Sequence, residues 1–144
     1  MKRIEAIAPL SRDHHSSLIL AQLLKNGAPI YKDLPTTIND KKEYALNHYN
    51  THIKYHFIAE EKMLEVVKNN SSAINMLFEE VIQEHNQLHT LFYELEYAVD
   101  IEKTMNEIAT LLEAHIRKEE RILFPILQEK CTADELNKIH QLLH

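Results

Sequence analysis

Three segments of the chain each place two metal-binding side chains four residues apart. His56-Phe57-Ile58-Ala59-Glu60 joins an imidazole to a carboxylate, His85-Asn86-Gln87-Leu88-His89 joins two imidazoles, and His115-Ile116-Arg117-Lys118-Glu119 repeats the first pattern. On a helix, residues at i and i+4 project from one face, one turn apart. Imidazole suits zinc, copper, iron and nickel, and a carboxylate oxygen adds a preference for harder ions. With His14 from an earlier segment, five histidines and two carboxylates exceed what one tetrahedral zinc can use. They suit two metals about 3.5–4 Å apart with carboxylate bridges. Glu60 and Glu119 are assigned as the bridges, and the histidines as terminal ligands around an open position for O2 or another small molecule.

Those residues need helices to present them, and the chain reads as helical almost throughout. It has one glycine, Gly27, where average usage is about 7%, and four prolines, so turns are few. Helices are expected at about 11–26, 38–68, 72–99, 101–128 and 133–143. Gly27 falls at the C′ position of the first, with Pro29 and Pro35 beyond it. Asn69-Asn70-Ser71-Ser72 supplies a turn and a new N-cap. Asp100 caps the fourth helix, which must kink or fray at Pro125. Thr132 with Glu135 forms a capping box for the last. Long helices with short connections predict an all-α fold, an antiparallel up-down-up-down four-helix bundle with a short C-terminal helix, in one domain covering 1–144.

Each pair lies on an apolar face: His56 with Met63, His85 and His89 with Phe78, Ile82 and Phe92, and His115 with Ile108, Leu112 and Ile122. A lone core histidine is commonly hydrogen-bonded rather than ligating, but ionisable groups are seldom buried without partners. Three such pairs ask for a common one. Reflection through the turns supplies a check. His56/Glu60 and His85/His89 are mirror images about residue 72, His85/His89 and His115/Glu119 about residue 102, and His14 and His56/Glu60 about residue 36. All four long helices therefore bring His or Glu to one layer.

The remaining features narrow the class. Net charge is −6 with both signs interspersed, which excludes nucleic acid as the main partner. No apolar run reaches the roughly 20 residues of a membrane span, and the N-terminus lacks a signal-peptide core, so a cytoplasmic protein is expected. The single cysteine, Cys131, excludes an intramolecular disulfide or a cysteine-based cluster. No glutamate stands three residues before a histidine, which counts against the Glu-x-x-His pattern of ferritin-like sites. His52 and Tyr49 share a face with His56, making His52 a possible extra ligand. His48, His140 and His144 read as surface residues, Glu61 and Glu120 as exposed or outer groups, and Tyr55, Tyr93 and Tyr97 as packing residues.

At these residues the sequence resembles the hemerythrin-like (HHE cation-binding) domains. The segments that carry the resemblance are Arg12-Asp13-His14-His15, His56 to Glu60-Glu61, Glu84-His85, and His115 to Glu119-Glu120 followed by Leu123-Phe124-Pro125. The resemblance implies a four-helix bundle around two iron ions bridged by oxo or hydroxo, with zinc possible in place of iron. It implies His14 as the first-helix ligand, with His15 as the alternative. The His85/His89 pair is similar to that of the oxygen carriers. Those proteins carry His-x-x-x-x-Asp on the last helix, whereas this chain offers Glu119 at i+4 and Glu120 at i+5. Family roles centre on small ligands such as O2, NO or peroxide. The expected function is an O2- or oxidant-binding di-iron sensor or carrier. The alternatives are a di-iron oxidoreductase acting on peroxide or nitric oxide or supplying iron for cluster repair, and a structural metal-binding bundle.

Overall fold

The computed structural model describes residues 2–144, whose regular elements are all helices, with no strand among them. Helix α1 spans Ala8–Leu24. Its second residue, Pro9, stands where a first-turn amide needs no partner. The chain turns extended at Lys25, and Gly27 takes a left-handed φ of +71°. The glycine expected at C′ therefore sits one position later, because the helix stops at Leu24.

The second helix is continuous but changes pitch. α2 covers Ile38–His48, a π turn covers Tyr49–Ile53, and α3 covers Lys54–Val67. Thr37 caps it by accepting from the Asp40 amide at 3.2 Å. α4 covers Ser72–Tyr97, capped by Ser71, which accepts from the Ile74 amide at 3.2 Å. α5 covers Ile101–Lys118 and starts at Asp100, as expected. α6 spans Phe124–Lys130 and α7 spans Ala133–Leu143, the latter with the capping box of Thr132 and Glu135.

Between α5 and α6 lies a second π turn, Glu119–Leu123. This is how the expected helix over 101–128 accommodates Pro125. The Phe124 amide bonds Glu119 O, so the next carbonyl, Glu120 O, would look to residue 125 for a donor. Proline has none. Arg3 Nη2 donates to Glu120 O instead. The wider turn also shifts the inward face. Ile122, expected beside His115, is 46% exposed, and Leu123 is buried in its place.

The core divides in two. Leu20, Ile53, Phe57, Leu88, Phe92, Ile108 and Leu112 belong to one cluster. Ile7, Leu10, Met63, Phe78, Val81, Phe124 and Leu127 belong to the other. The buried polar residues are Ser17 and six ionisable groups: His14, His56, Glu60, His85, His115 and Glu119. No helix is long and apolar enough to cross a membrane, among the described residues.

Candidate metal centre

The six buried ionisable residues form two overlapping groups. His14, His56, Glu60 and Glu119 make one, and Glu60, His85, His115 and Glu119 make the other. Within each group one donor atom per residue lies within 4.8 Å of all the others. Both carboxylates belong to both groups, and each imidazole belongs to one. α1 supplies His14, α3 supplies His56 and Glu60, α4 supplies His85, α5 supplies His115, and the π turn after α5 supplies Glu119.

The imidazoles point one nitrogen inward. His14 Nε2 lies 3.0 Å from Glu119 Oε1, His85 Nε2 lies 3.1 Å from Glu60 Oε1, and His56 Nε2 lies 3.4 Å from Glu60 Oε1. His115 Nε2 is 3.3 Å from Glu119 and 4.0 Å from Glu60. Phenyl rings hold two of the planes. Phe57 stacks on His85 at 3.9 Å between centroids, and Phe124 stacks on His14 at 5.6 Å.

Without a cation this layer is electrostatically awkward. Burial pushes the Glu119 carboxyl up, and the neighbouring Glu60 charge adds to the rise. Burial also acts to raise Glu60, but the His56 charge and the polar neighbours Glu119, His115 and His56 outweigh it, leaving Glu60 well below the ordinary range. Burial opposes charge on His56 and His115. Even so, Glu60 and Asp13 carry His56 up to about 10, and Glu119, Glu60 and Glu84 carry His115 to the same value. Inside the layer His56 Nε2, His115 Nε2, Glu60 Oε2 and Glu119 Oε2 are buried with no hydrogen-bond partner. Buried polar atoms are rarely left so. A cation between the two carboxylates, with neutral imidazoles, satisfies all four. The donor set therefore fits a metal site.

The Hemerythrin HHE cation binding domain matches the chain over residues 5–127. The chain belongs to this family. No curated protein and no solved structure matches it. In this hemerythrin-like chain the matched span carries all six residues of the two groups, and a metal cation site is what the family and the buried cluster have in common.

The structure does not bring every expected ligand together. His89 stands outside both groups, half-buried. Its Nδ1 is hydrogen-bonded to the Tyr49 hydroxyl, and Phe57, which covers His85, meets its ring edge-on at 5.4 Å. His15 is exposed, whereas His14 is buried. His52 stacks on His48 at 4.9 Å and faces Ser16 Oγ at 3.4 Å. The π turn just before α3 accounts for this, since it rotates His52 away from the His56 face that an unbroken α-helix would give it. Sequence reasoning named Asp13 and Glu84 only within the segments that carry the resemblance, with no role, and it placed Glu61 and Glu120 only as exposed or outer groups. The signal for all four was adjacency: each stands one residue from a member of the buried layer.

Proposed function

We propose that the chain holds two iron ions, one in each four-residue group, and binds O2 or a related small oxidant there as a sensor or carrier. One observation carries this reading: both groups share Glu60 and Glu119. Shared carboxylates are what a pair of adjacent ions requires and what a single ion does not. Glu60 and Glu119 would bridge, His14 and His56 would hold one ion, and His85 and His115 would hold the other. Iron bound by imidazole and carboxylate supplies redox exchange with small oxidants at its open positions. The chain's own residues set the conditions. The two apolar clusters flank the layer and exclude bulk water, and Phe57 and Phe124 fix the rings of His85 and His14.

The same reading takes the long helices as an antiparallel up-down-up-down bundle. The pairs Glu60–His85 and Glu84–His115, at 3.1 and 2.7 Å, support it, because each is nearly symmetric about the intervening turn.

A second reading is favoured by the position of His89. Each group then offers two imidazoles with carboxylate, the pattern of O2-activating non-heme iron. That points to an oxidoreductase consuming peroxide or nitric oxide. Metal content per chain, read with the aerobic near-ultraviolet spectrum, tests the site. Two irons with bridged charge-transfer bands, reversible on removing O2, support the sensor or carrier. Net consumption of oxidant supports the enzyme. Zinc alone after iron-replete expression, with no such bands, leaves a structural bundle, since four ligands also close a tetrahedral site.

A further inference from the structure

Each inward histidine turns its second nitrogen to a carboxylate on a different helix. His56 Nδ1 lies 3.1 Å from Asp13 Oδ2 of α1. His85 Nδ1 lies 2.9 Å from Glu61 Oε2 of α3, and His115 Nδ1 lies 2.7 Å from Glu84 Oε1 of α4. His14 Nδ1 lies 3.6 Å from Glu120 Oε1 of the second π turn, within ion-pair reach. The circuit closes: α1 serves α3, α3 serves α4, α4 serves α5, and the π turn after α5 serves α1. All four carboxylates are neighbours in sequence of a residue in the buried layer. A carboxylate at Nδ1 fixes the imidazole with its proton on that nitrogen, leaving Nε2 as the lone-pair donor toward the centre, and raises its basicity.

We propose that Asp13, Glu61, Glu84 and Glu120 are positioning residues of the metal centre, a closed ring in which each helix aims the ligand of the next. The inference rests on the metal reading above. The ring has two kinds of member. Glu84 is held by Lys118, which also reaches Glu80 at 3.2 Å. Glu120 is held by Arg3 at 3.3 Å and by the Ser11 hydroxyl. These two side chains are 17% and 27% exposed, whereas Asp13 and Glu61 are 40% and 44% exposed. The pinned, less exposed pair has less freedom and less screening by solvent. Glu84, pinned and with the shortest contact, therefore orients its histidine most strongly, whereas Glu120 is pinned but 3.6 Å from His14 Nδ1, which makes no hydrogen bond, and so acts on it through charge alone.

The test uses the full chain and its alanine and amide variants at the four positions, for example Glu84→Ala and Glu84→Gln. Fe2+ under anaerobic conditions and Zn2+ in air serve as probes, each titrated against a chromophoric chelator. Metal-free melting and the imidazole 15N spectrum are recorded alongside. Loss of such an outer partner typically weakens metal binding about 10–100-fold. That range is expected for Glu84→Ala, with smaller, salt-dependent losses for Asp13→Ala, Glu61→Ala and Glu120→Ala. Glu84→Gln keeps an acceptor oxygen, so it should recover the Nδ1–H signal of His115 and part of the affinity; it also serves if the alanine variant fails to fold. Affinities within threefold of wild type in all four positions overturn the positioning role. Losses that merely follow metal-free melting, with the 15N signals unmoved, overturn it as well. A wild-type chain that takes up neither ion overturns the metal reading itself, a distinguishable result.

Discussion

If the chain holds two ions as proposed, replacing Glu60 by glutamine should empty both metal positions, whereas replacing a single histidine should empty one. Glu60 belongs to both four-residue groups, and each histidine belongs to one. Glu60→Gln keeps the volume and removes the charge that His56, His85 and His115 all face, at 3.4, 3.1 and 4.0 Å. Each position then loses one donor in four and the negative charge that balanced its cation. A loss of at least about 100-fold per ion, or about 2.7 kcal/mol at about 1.36 kcal/mol per decade, is the lower bound, because even outer partners are worth up to about that much. His85→Ala should leave the group containing His14 and His56 loaded. The stoichiometries expected from metal analysis after gel filtration are none for Glu60→Gln and one for His85→Ala.

The metal-free protein supplies the second half of that experiment. Removing one partner of a buried charge pair costs about 3–5 kcal/mol. For 144 residues at about 2.1 cal/mol/K each, the unfolding entropy is about 0.30 kcal/mol/K, so metal-free Glu60→Gln should melt about 10–17 °C below wild type. Circular dichroism with chelator present measures it. If Glu60→Gln retains one tightly bound ion, or if His85→Ala loses both, the two groups do not share their carboxylates and the reasoning fails.

Loading should release protons. His56 and His115 are held charged to about 10 by Glu60 and Glu119, and a ligating imidazole must be neutral. Calorimetry in buffers of different ionisation enthalpy should show at least about two protons released near pH 7, since His14 and Glu119 are also shifted toward their protonated forms, and zero release would refute the assignment. The sign is the same for metal-free stability: because both values lie above the ordinary 6.5, their contribution is full below 6.5 and is lost as pH rises through about 10, a loss that loading should abolish. His89→Ala should keep the wild-type metal stoichiometry, since His89 lies outside both groups and is engaged by Tyr49; metal analysis showing one ion lost would make it a ligand. Thr132→Ala breaks the capping box of α7 and should cost about 1 kcal/mol, seen as about 3 °C in the melting temperature with no change in metal content.

The capping signals and the apolar periodicity made the helix ends legible in the sequence. Asp100 and the Thr132/Glu135 box stand at the starts expected of them, and Ser71 caps the helix expected at about residue 72. Reflection through the turns brought His14, Glu60, His85 and Glu119 to one level, and those residues do meet. The two π turns were not legible, because a one-residue change of pitch leaves no mark in composition. Their consequences fall on particular side chains. Ile122 turns outward where an unbroken helix would bury it, and His52 stands against His48 and Ser16 rather than beside His56. Pro125 was the visible trace of the second, read as a kink or fraying because proline removes a hydrogen bond without fixing how the chain absorbs the loss.

The outer carboxylates show a further pattern that spacing alone could have carried. A residue next to an inward ligand lies about 100° round the helix, where it meets a neighbouring helix rather than the centre. Asp13 and Glu84 precede a layer residue, whereas Glu61 and Glu120 follow one. The sign therefore alternates from helix to helix around the ring. On helices that alternate in direction, a preceding residue on one and a following residue on the next both face the same way round the bundle axis. A ring that circulates in one sense requires this alternation when neighbouring helices are antiparallel. With parallel neighbours the same alternation would aim the carboxylates at each other in pairs across two of the four helix interfaces, and no one-way ring would form. Four carboxylates at −1, +1, −1 and +1 thus connect the metal-site reading to the up-down-up-down topology, because the ring of contacts at 3.1, 2.9, 2.7 and 3.6 Å is the arrangement that such a topology would produce.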